Sequence, residues 1–322
     1  MARFAVIGEA GQELYLSDKN DLTPTKIGDV SILGNLLVGE KHYIDKIKYS
    51  AGGGALNVAV SLARYGHDVV IMTNLGQDSA GDAVMRVLDL EEIDNSYVNF
   101  VNNKPTCTSM ILTSPKQHEN TVLKCRGACE NFANLDPSDL ETIYPDYLYL
   151  TTLNGDFEML EKILKKTQEI HCKIVMNPGE AELSNSKRLL KLLKYVDILI
   201  LNKKEAAELV PGNILSELLY HLNGYVPIVV ITDGLMGGIA GKRNTKDIYR
   251  FGIYEDVKMR DKTGAGDAFG AGVAGAWADG KSLRQALAFA SANATAVIKK
   301  VGGFTGALDA NEVLHPMPIQ KV

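Results

Sequence analysis

The 322-residue chain is 46% apolar and 23% charged, ordinary values for a globular protein with a substantial core. A formal net charge of −5 excludes a general attraction to nucleic acid or an anionic membrane, so any anionic ligand must be held locally by N–H groups and a few Lys or Arg. No stretch approaches the ~18–20 apolar residues of a membrane span, and the N-terminus lacks the apolar run of a signal peptide.

In chain order, residues 4–8 read as a first strand. Residues 12–50 then alternate in the manner of antiparallel strands. Ala51-Gly52-Gly53-Gly54-Ala55-Leu56-Asn57 opens a helix over 54–65, followed by a strand at 69–73 and a helix at 80–90. Residues 98–127 alternate again, with strands at 109–113 and 121–124 joined by a polar connection through 118–120. From 147 onward, compact apolar strands at 147–151, 173–177, 197–201 and 227–232 alternate with helical patterns at 156–171, 185–195 and 203–223. Two long helices, 266–279 and 283–300, end the pattern. The rhythm predicts a doubly wound, mostly parallel α/β sheet forming a single domain over 1–322, with a small β lid from about 12–50 and 98–127. The cysteines Cys107, Cys125, Cys129 and Cys172 lack zinc-ligand spacing and read as thiols of a reducing compartment, so a cytoplasmic protein is expected.

Chemistry concentrates at strand-to-helix junctions. Asp261-Lys262-Thr263-Gly264-Ala265-Gly266-Asp267 combines a small-residue turn, the start of a long apolar helix and two acids. Bare backbone N–H groups and a helix N-terminus favour an anion such as phosphate. Asp267 then stands where a carboxylate deprotonates a hydroxyl attacking that anion. The glycines at 52–54 let a ligand approach the backbone, and Asn57 offers a donor and an acceptor to paired hydroxyls. Asn202 and Glu205 follow one strand; Thr232, Gly234 and Gly237 follow the next. Arg126 closes the presumptive lid as a cation on the substrate side. Each feature alone also reads as a helix cap, a turn or a solvent-facing charge. Their common placement at the carboxyl ends of one parallel sheet points instead to one crevice. Neither GxGxxG at a strand end nor GxxxxGK[ST] is present.

The Gly52–Asn57 block and the Asp261–Phe269 run together resemble the ribokinase/PfkB family of carbohydrate kinases, over nearly the whole chain. The resemblance implies a Rossmann-like fold with a β lid, and ATP-dependent phosphorylation of a hydroxyl on a small sugar or sugar acid. It implies Asp267 as general base and Gly264, Ala265 and Gly266 as the anion hole. Gly53, Gly54 and Asn57 fall at sugar-binding positions, with Glu13 and Arg126 also on the substrate side. Asn202, Thr232, Gly234, Gly237 and the helix with Asn293 are implied for the nucleotide, Glu205 for Mg²⁺ through water, and Asp261 and Thr263 for a monovalent cation such as K⁺. An uncovered lid face leaves room for a homodimer through the lid. Glu13 stands where the family usually has Asp, and Gly54 where ribokinases proper carry Lys; Gly8-Glu9 is similar to fructokinases and ketodeoxygluconate kinases. A nucleoside kinase on the same scaffold and a non-catalytic sugar-binding regulator remain the other readings.

Overall fold

The computed structural model describes residues 1–17, 24–27, 30–33, 38–113, 120–254, 257–312, 314 and 317–322. Its strands in chain order are β1 (Arg3–Ile7), β2 (Gly11–Ser17), β3 (Pro24–Ile27), β4 (Val30–Leu33), β5 (Lys46–Gly52), β6 (Asp68–Gly76), β7 (Asp94–Val101), β8 (Cys107–Thr113) and β9 (Asn120–Cys125). They continue as β10 (Tyr147–Leu150), β11 (Lys173–Met176), β12 (Ile198–Asn202), β13 (Ile228–Thr232), β14 (Gly238–Lys242), β15 (Ile248–Phe251) and β16 (Ile319–Lys321). The helices are α1 (Gly54–Tyr65), α2 (Ser79–Leu90), α3 (Asp139–Ile143), α4 (Phe157–Glu169), α5 (Glu180–Leu183), α6 (Ser186–Leu192), α7 (Lys203–Leu209), α8 (Leu215–Leu222), α9 (Ala265–Ala278) and α10 (Leu283–Ile298).

Ten strands form the main sheet in the order β16-β15-β14-β13-β12-β11-β10-β1-β6-β7. The seven from β13 to β7 run parallel, and β14 to β16 extend one edge antiparallel. The central strands are apolar on both sides because helices cover both faces. In β1, Ala5 and Ile7 belong to the core on the side of α4, α6 and α8, whereas Phe4 and Val6 belong to the core on the side of α1, α9 and α10. The parallel core and its helices follow the sequence expectation. The antiparallel edge does not appear in it, since Gly238-Ile239-Ala240-Gly241 carries weak strand signals and is held by pairing with β13.

Two further expectations change. The helical pattern at 203–223 is two helices, because Pro211 cannot continue α7 and Gly212 turns the chain at φ +126°. Residues 98–101 belong to β7 in the main sheet, so the second lid segment begins later. The small sheet has the order β5-β2-β8-β9 and is mixed, since β2 pairs parallel with β8. Part of the expected 12–50 and 98–127 segments, including residues 118 and 119 of the connection, lies outside the described residues.

Register divides the small sheet chemically. Glu13 is level with Ser50 and Ser109, and Ser109 with Lys124; these face the carboxyl ends of the main sheet. One residue on, Leu14, Tyr49, Met110 and Leu123 are level and face the other way. Among the described residues no helix is long and apolar enough to cross a membrane.

Candidate active site

The crevice lies where β1, β10, β12 and β13 end, beneath the inner face of the small sheet and beside the N-terminus of α9. Gly264 caps α9 in the left-handed region at φ +76°. A side chain there would strike the Gly303 carbonyl oxygen at 2.1 Å, so the turn excludes every other residue on two counts. Ala265 N–H already bonds the Lys262 carbonyl (3.2 Å), while the N–H groups of Gly266 and Asp267 belong to the first helical turn and lack an intrahelical acceptor. Those two, with the positive end of the helix dipole, form the anion-attracting part of the turn.

Asp267 is partly exposed at the crevice floor, and its Oδ2 accepts a hydrogen bond from Asn57 Nδ2 at 2.8 Å. Burial of the carboxyl, assisted by the charge of Glu9, pushes it up to about 6, against the opposing pull of Asn57 and the Lys124 ammonium. A carboxylate poised there is mostly ionised at neutral pH yet basic enough to accept a proton. Asn57 is 2% exposed, and its Oδ1 has no partner. Its amide packs on Gly303, where a Cβ would meet Nδ2 at 2.5 Å.

Glu13 projects from β2 toward the same space. Its Oε2 accepts from the Tyr15 hydroxyl (2.6 Å), and it also takes the Gly53 N–H. Burial chiefly, then the charges of Asp267 and Asp261, push its carboxyl up to about 7. A Cβ on Gly52 would sit 2.3 Å from the carboxyl carbon, which accounts for a glycine at the end of β5. Gly54 begins α1 with ordinary space toward Thr151 and Asp267.

A third group escaped the sequence reading. Glu9 is 3% exposed; its Oε2 pairs with Lys124 from the small sheet and its Oε1 accepts from Asn154 Nδ2 at 2.6 Å. Asn154 Nδ2 also donates to the Cys129 carbonyl at 2.7 Å. Glu9 follows an expected strand end and belongs to the Gly8-Glu9 pair that is similar to fructokinases and ketodeoxygluconate kinases; Lys124 and Asn154 carried no signal. Arg126 lies beyond β9, exposed, with no side-chain hydrogen bond or ion pair among the described residues, whereas Lys124 is brought to Glu9 beside Asp267.

The nucleotide-side candidates stand farther along the sheet. Asn202 and Glu205 form a reciprocal cap: Asn202 Oδ1 accepts from Glu205 N–H (3.0 Å), and Glu205 Oε2 accepts from Asn202 N–H (2.8 Å). Burial raises the Glu205 carboxyl, with Glu208 and Asp267 adding to it. Thr232 is level with Asn202 across β12 and β13. Gly234 faces open space, while a Cβ on Gly237 would strike the Phe251 carbonyl at 2.0 Å. Asn293 is committed elsewhere: Nδ2 donates to the Ala268 carbonyl (2.7 Å) and Oδ1 accepts from Leu308 N–H (2.9 Å), tying α9 and α10 to the chain beyond them.

The oxygen donors suit Mg²⁺ only in part. Among the described residues no three acidic, His or Cys side chains form a metal cage, so the ion fits as a guest of nucleotide phosphates with Glu205 nearby. Asp261 does not fit a cation site as arranged. Its Oδ1 accepts from Thr263 N–H, the Thr263 hydroxyl and Asn120 Nδ2, and its Oδ2 from Gly302 N–H.

Residues 25–310 match the pfkB family of carbohydrate kinases. Ribokinase from Haemophilus influenzae is 27% identical over 88% of this chain and 90% of its own length. A nucleoside kinase from Methanocaldococcus jannaschii is 25% identical over 78% of this chain and 80% of its own. The structure of Arabidopsis thaliana ribokinase complexed with ribose and ATP superposes with a TM-score of 0.78 at 22% identity, covering 96% of each chain. The chain belongs to the pfkB family, and it is a phosphotransferase with the ribokinase-like fold.

Proposed function

We propose that this pfkB-family kinase transfers the γ-phosphoryl group of ATP to a hydroxyl of a small sugar or nucleoside held between Asn57, Glu13 and Asp267. One observation carries the reading: Asp267, at the mouth of the anion-attracting turn, bonds to Asn57, whose remaining amide oxygen is buried without a partner. A pair of ligand hydroxyls, one donating to Asn57 Oδ1 and the reacting one to Asp267, satisfies both. Asp267 then takes its proton as the oxygen attacks, and the N–H groups of Gly266 and Asp267 face the charge that develops on the phosphoryl oxygens. Mg²⁺ supplies charge neutralisation on the phosphates, with Asn202 and Glu205 bordering them. Thr232, Gly234 and Gly237 line the nucleotide's approach, and Gly53 and Gly54 border the acceptor. The small sheet acts as a lid that keeps out water, the competing acceptor.

The test is phosphoryl transfer from ATP across a panel of sugars and nucleosides. Acceptor-dependent ADP release supports the reading; acceptor binding without release in every case would return the chain to a sugar-binding regulator. Nucleoside acceptors outrunning free sugars would favour the nucleoside-kinase form, the activity named for the Methanocaldococcus jannaschii relative.

The outer face of the small sheet exposes Ile47, Tyr49, Met110 and Leu123. A second copy of the chain covering that face is the partner we propose, checked by whether Leu123→Asp lowers the mass measured by light scattering. With Cys125 an exposed free thiol, we place the protein in the cytoplasm.

A further inference from the structure

The acceptor end of the crevice is one-sided in both charge and hydrogen-bonding sense. Asp267, Glu13 and the unpartnered Oδ1 of Asn57 all offer acceptor oxygens, so a ligand there must bring donors. Among the described residues the ammonium that pulls on Asp267 is Lys124, and it is held by Glu9. Asn154 fixes the second Glu9 oxygen and so aims the carboxylate at Lys124. Of the other described cations around the small sheet, Arg126 stands exposed beyond the end of β9, and the lysines are engaged or displaced. Lys48 donates to the Val301 carbonyl (2.7 Å), level with Tyr15 and not with Glu13. Lys104 pairs with Glu130, and Lys46 lies at the outer end of β5, level with Ser17.

We propose that Glu9, by neutralising Lys124, makes this site select neutral, hydroxyl-rich acceptors over acceptors carrying a carboxylate or phosphate. The proposal rests on the phosphotransfer reading and sets aside the sugar acids that the sequence resemblance allowed. An incoming anion has two routes, both unfavourable. It can take Lys124 from Glu9, leaving a buried carboxylate unpaired, or lie against the repelling charges of Glu9 and Asp267. A neutral polyol displaces no ion pair and donates to Asn57 Oδ1.

The experiment is calorimetric binding to the full chain in the presence of a non-hydrolysable ATP analogue. The probes are D-ribose, D-fructose and inosine, compared with D-ribonate, D-fructose 6-phosphate and inosine 5′-monophosphate. The wild type is expected to bind the neutral members more tightly. Glu9→Gln keeps an acceptor for Asn154 while freeing Lys124, and is expected to narrow the neutral-to-anionic ratio by roughly tenfold. Lys124→Met is expected to widen it. Analogue affinity in each variant reports that the nucleotide side is folded. Tighter binding of the anionic members by the wild type, or a ratio unmoved by Glu9→Gln, overturns the proposal. Neutral probes that bind and are never phosphorylated would count against the phosphotransfer reading while leaving the selection intact.

Discussion

The acceptor and nucleotide halves of the crevice are built by different means. On the acceptor side, polar groups meet across great sequence distance: Asn57 bonds Asp267, Glu9 pairs with Lys124, and Asn154 joins Glu9. On the nucleotide side the bonds are local, as in the Asn202–Glu205 cap, or commit a candidate to holding the fold, as with Asn293. The acceptor half is therefore preorganised by tertiary contacts around a buried, unsatisfied oxygen. The nucleotide half presents an open surface for phosphates and their ion. Preorganisation where a neutral hydroxyl must be oriented, and openness where a charged ligand supplies its own binding energy, follow the same physical logic.

The comparison can be broken most sharply at Asp267. Asp267→Asn is expected to lower kcat by about 10²–10⁴ while ATP binding by calorimetry stays near wild type. Turnover within threefold of wild type would remove the base. The wild-type rate should also fall about tenfold per unit below pH 6, because protonation of a carboxyl lying at about 6 abolishes the base. Gly264 comes next, at the turn both halves share. Gly264→Ala forces a left-handed φ and a 2.1 Å approach to Gly303, and should cost at least about 2 kcal/mol in chemical denaturation. An unchanged midpoint would show that the turn is looser than described.

Asn202→Ala sharpens the contrast at smaller scale. Loss of the cap should cost about 1 kcal/mol of stability. A rise in KM for ATP beyond that loss would give Asn202 a direct nucleotide role, and unchanged KM would leave it a cap. The remaining comparison concerns Glu13 and is read as a change with pH. Its folded carboxyl lies at about 7 against an ordinary value of 4.5, so the native state binds the proton more tightly. That contribution is fully present below about pH 4.5 and is lost as pH rises to about 7. Wild-type Tm should accordingly fall relative to Glu13→Gln across this window, and parallel curves would contradict the burial.

Much of the site was legible because its residues follow strand ends. Asp267 and Asn57 meet as their placement at junctions implied, and Glu13, named through the resemblance, lies close enough to feel the Asp267 charge. Lys124 and Asn154 were not legible, since nothing near either in the chain marks it; each acquires meaning from Glu9, more than a hundred residues away. Arg126 drew attention instead as a cation at the far end of the lid; it stands exposed just after β9, at the start of the short helix 127–130. The edge strands β14 to β16 were missed for a related reason, because short Gly-rich segments become strands only through a partner.

By itself, the sequence determined the alternation of strand and helix, the parallel core, and the glycine turn that opens the helix at 264–267, because hydrophobic period and glycine placement are local properties of the chain. Tertiary structure alone decided which charges share the acceptor space. Register and burial bring Glu9, Lys124 and Asn154 together and leave Asn57 Oδ1 unpaired, and a charge's effect depends on what stands beside it in low dielectric, which no local pattern encodes.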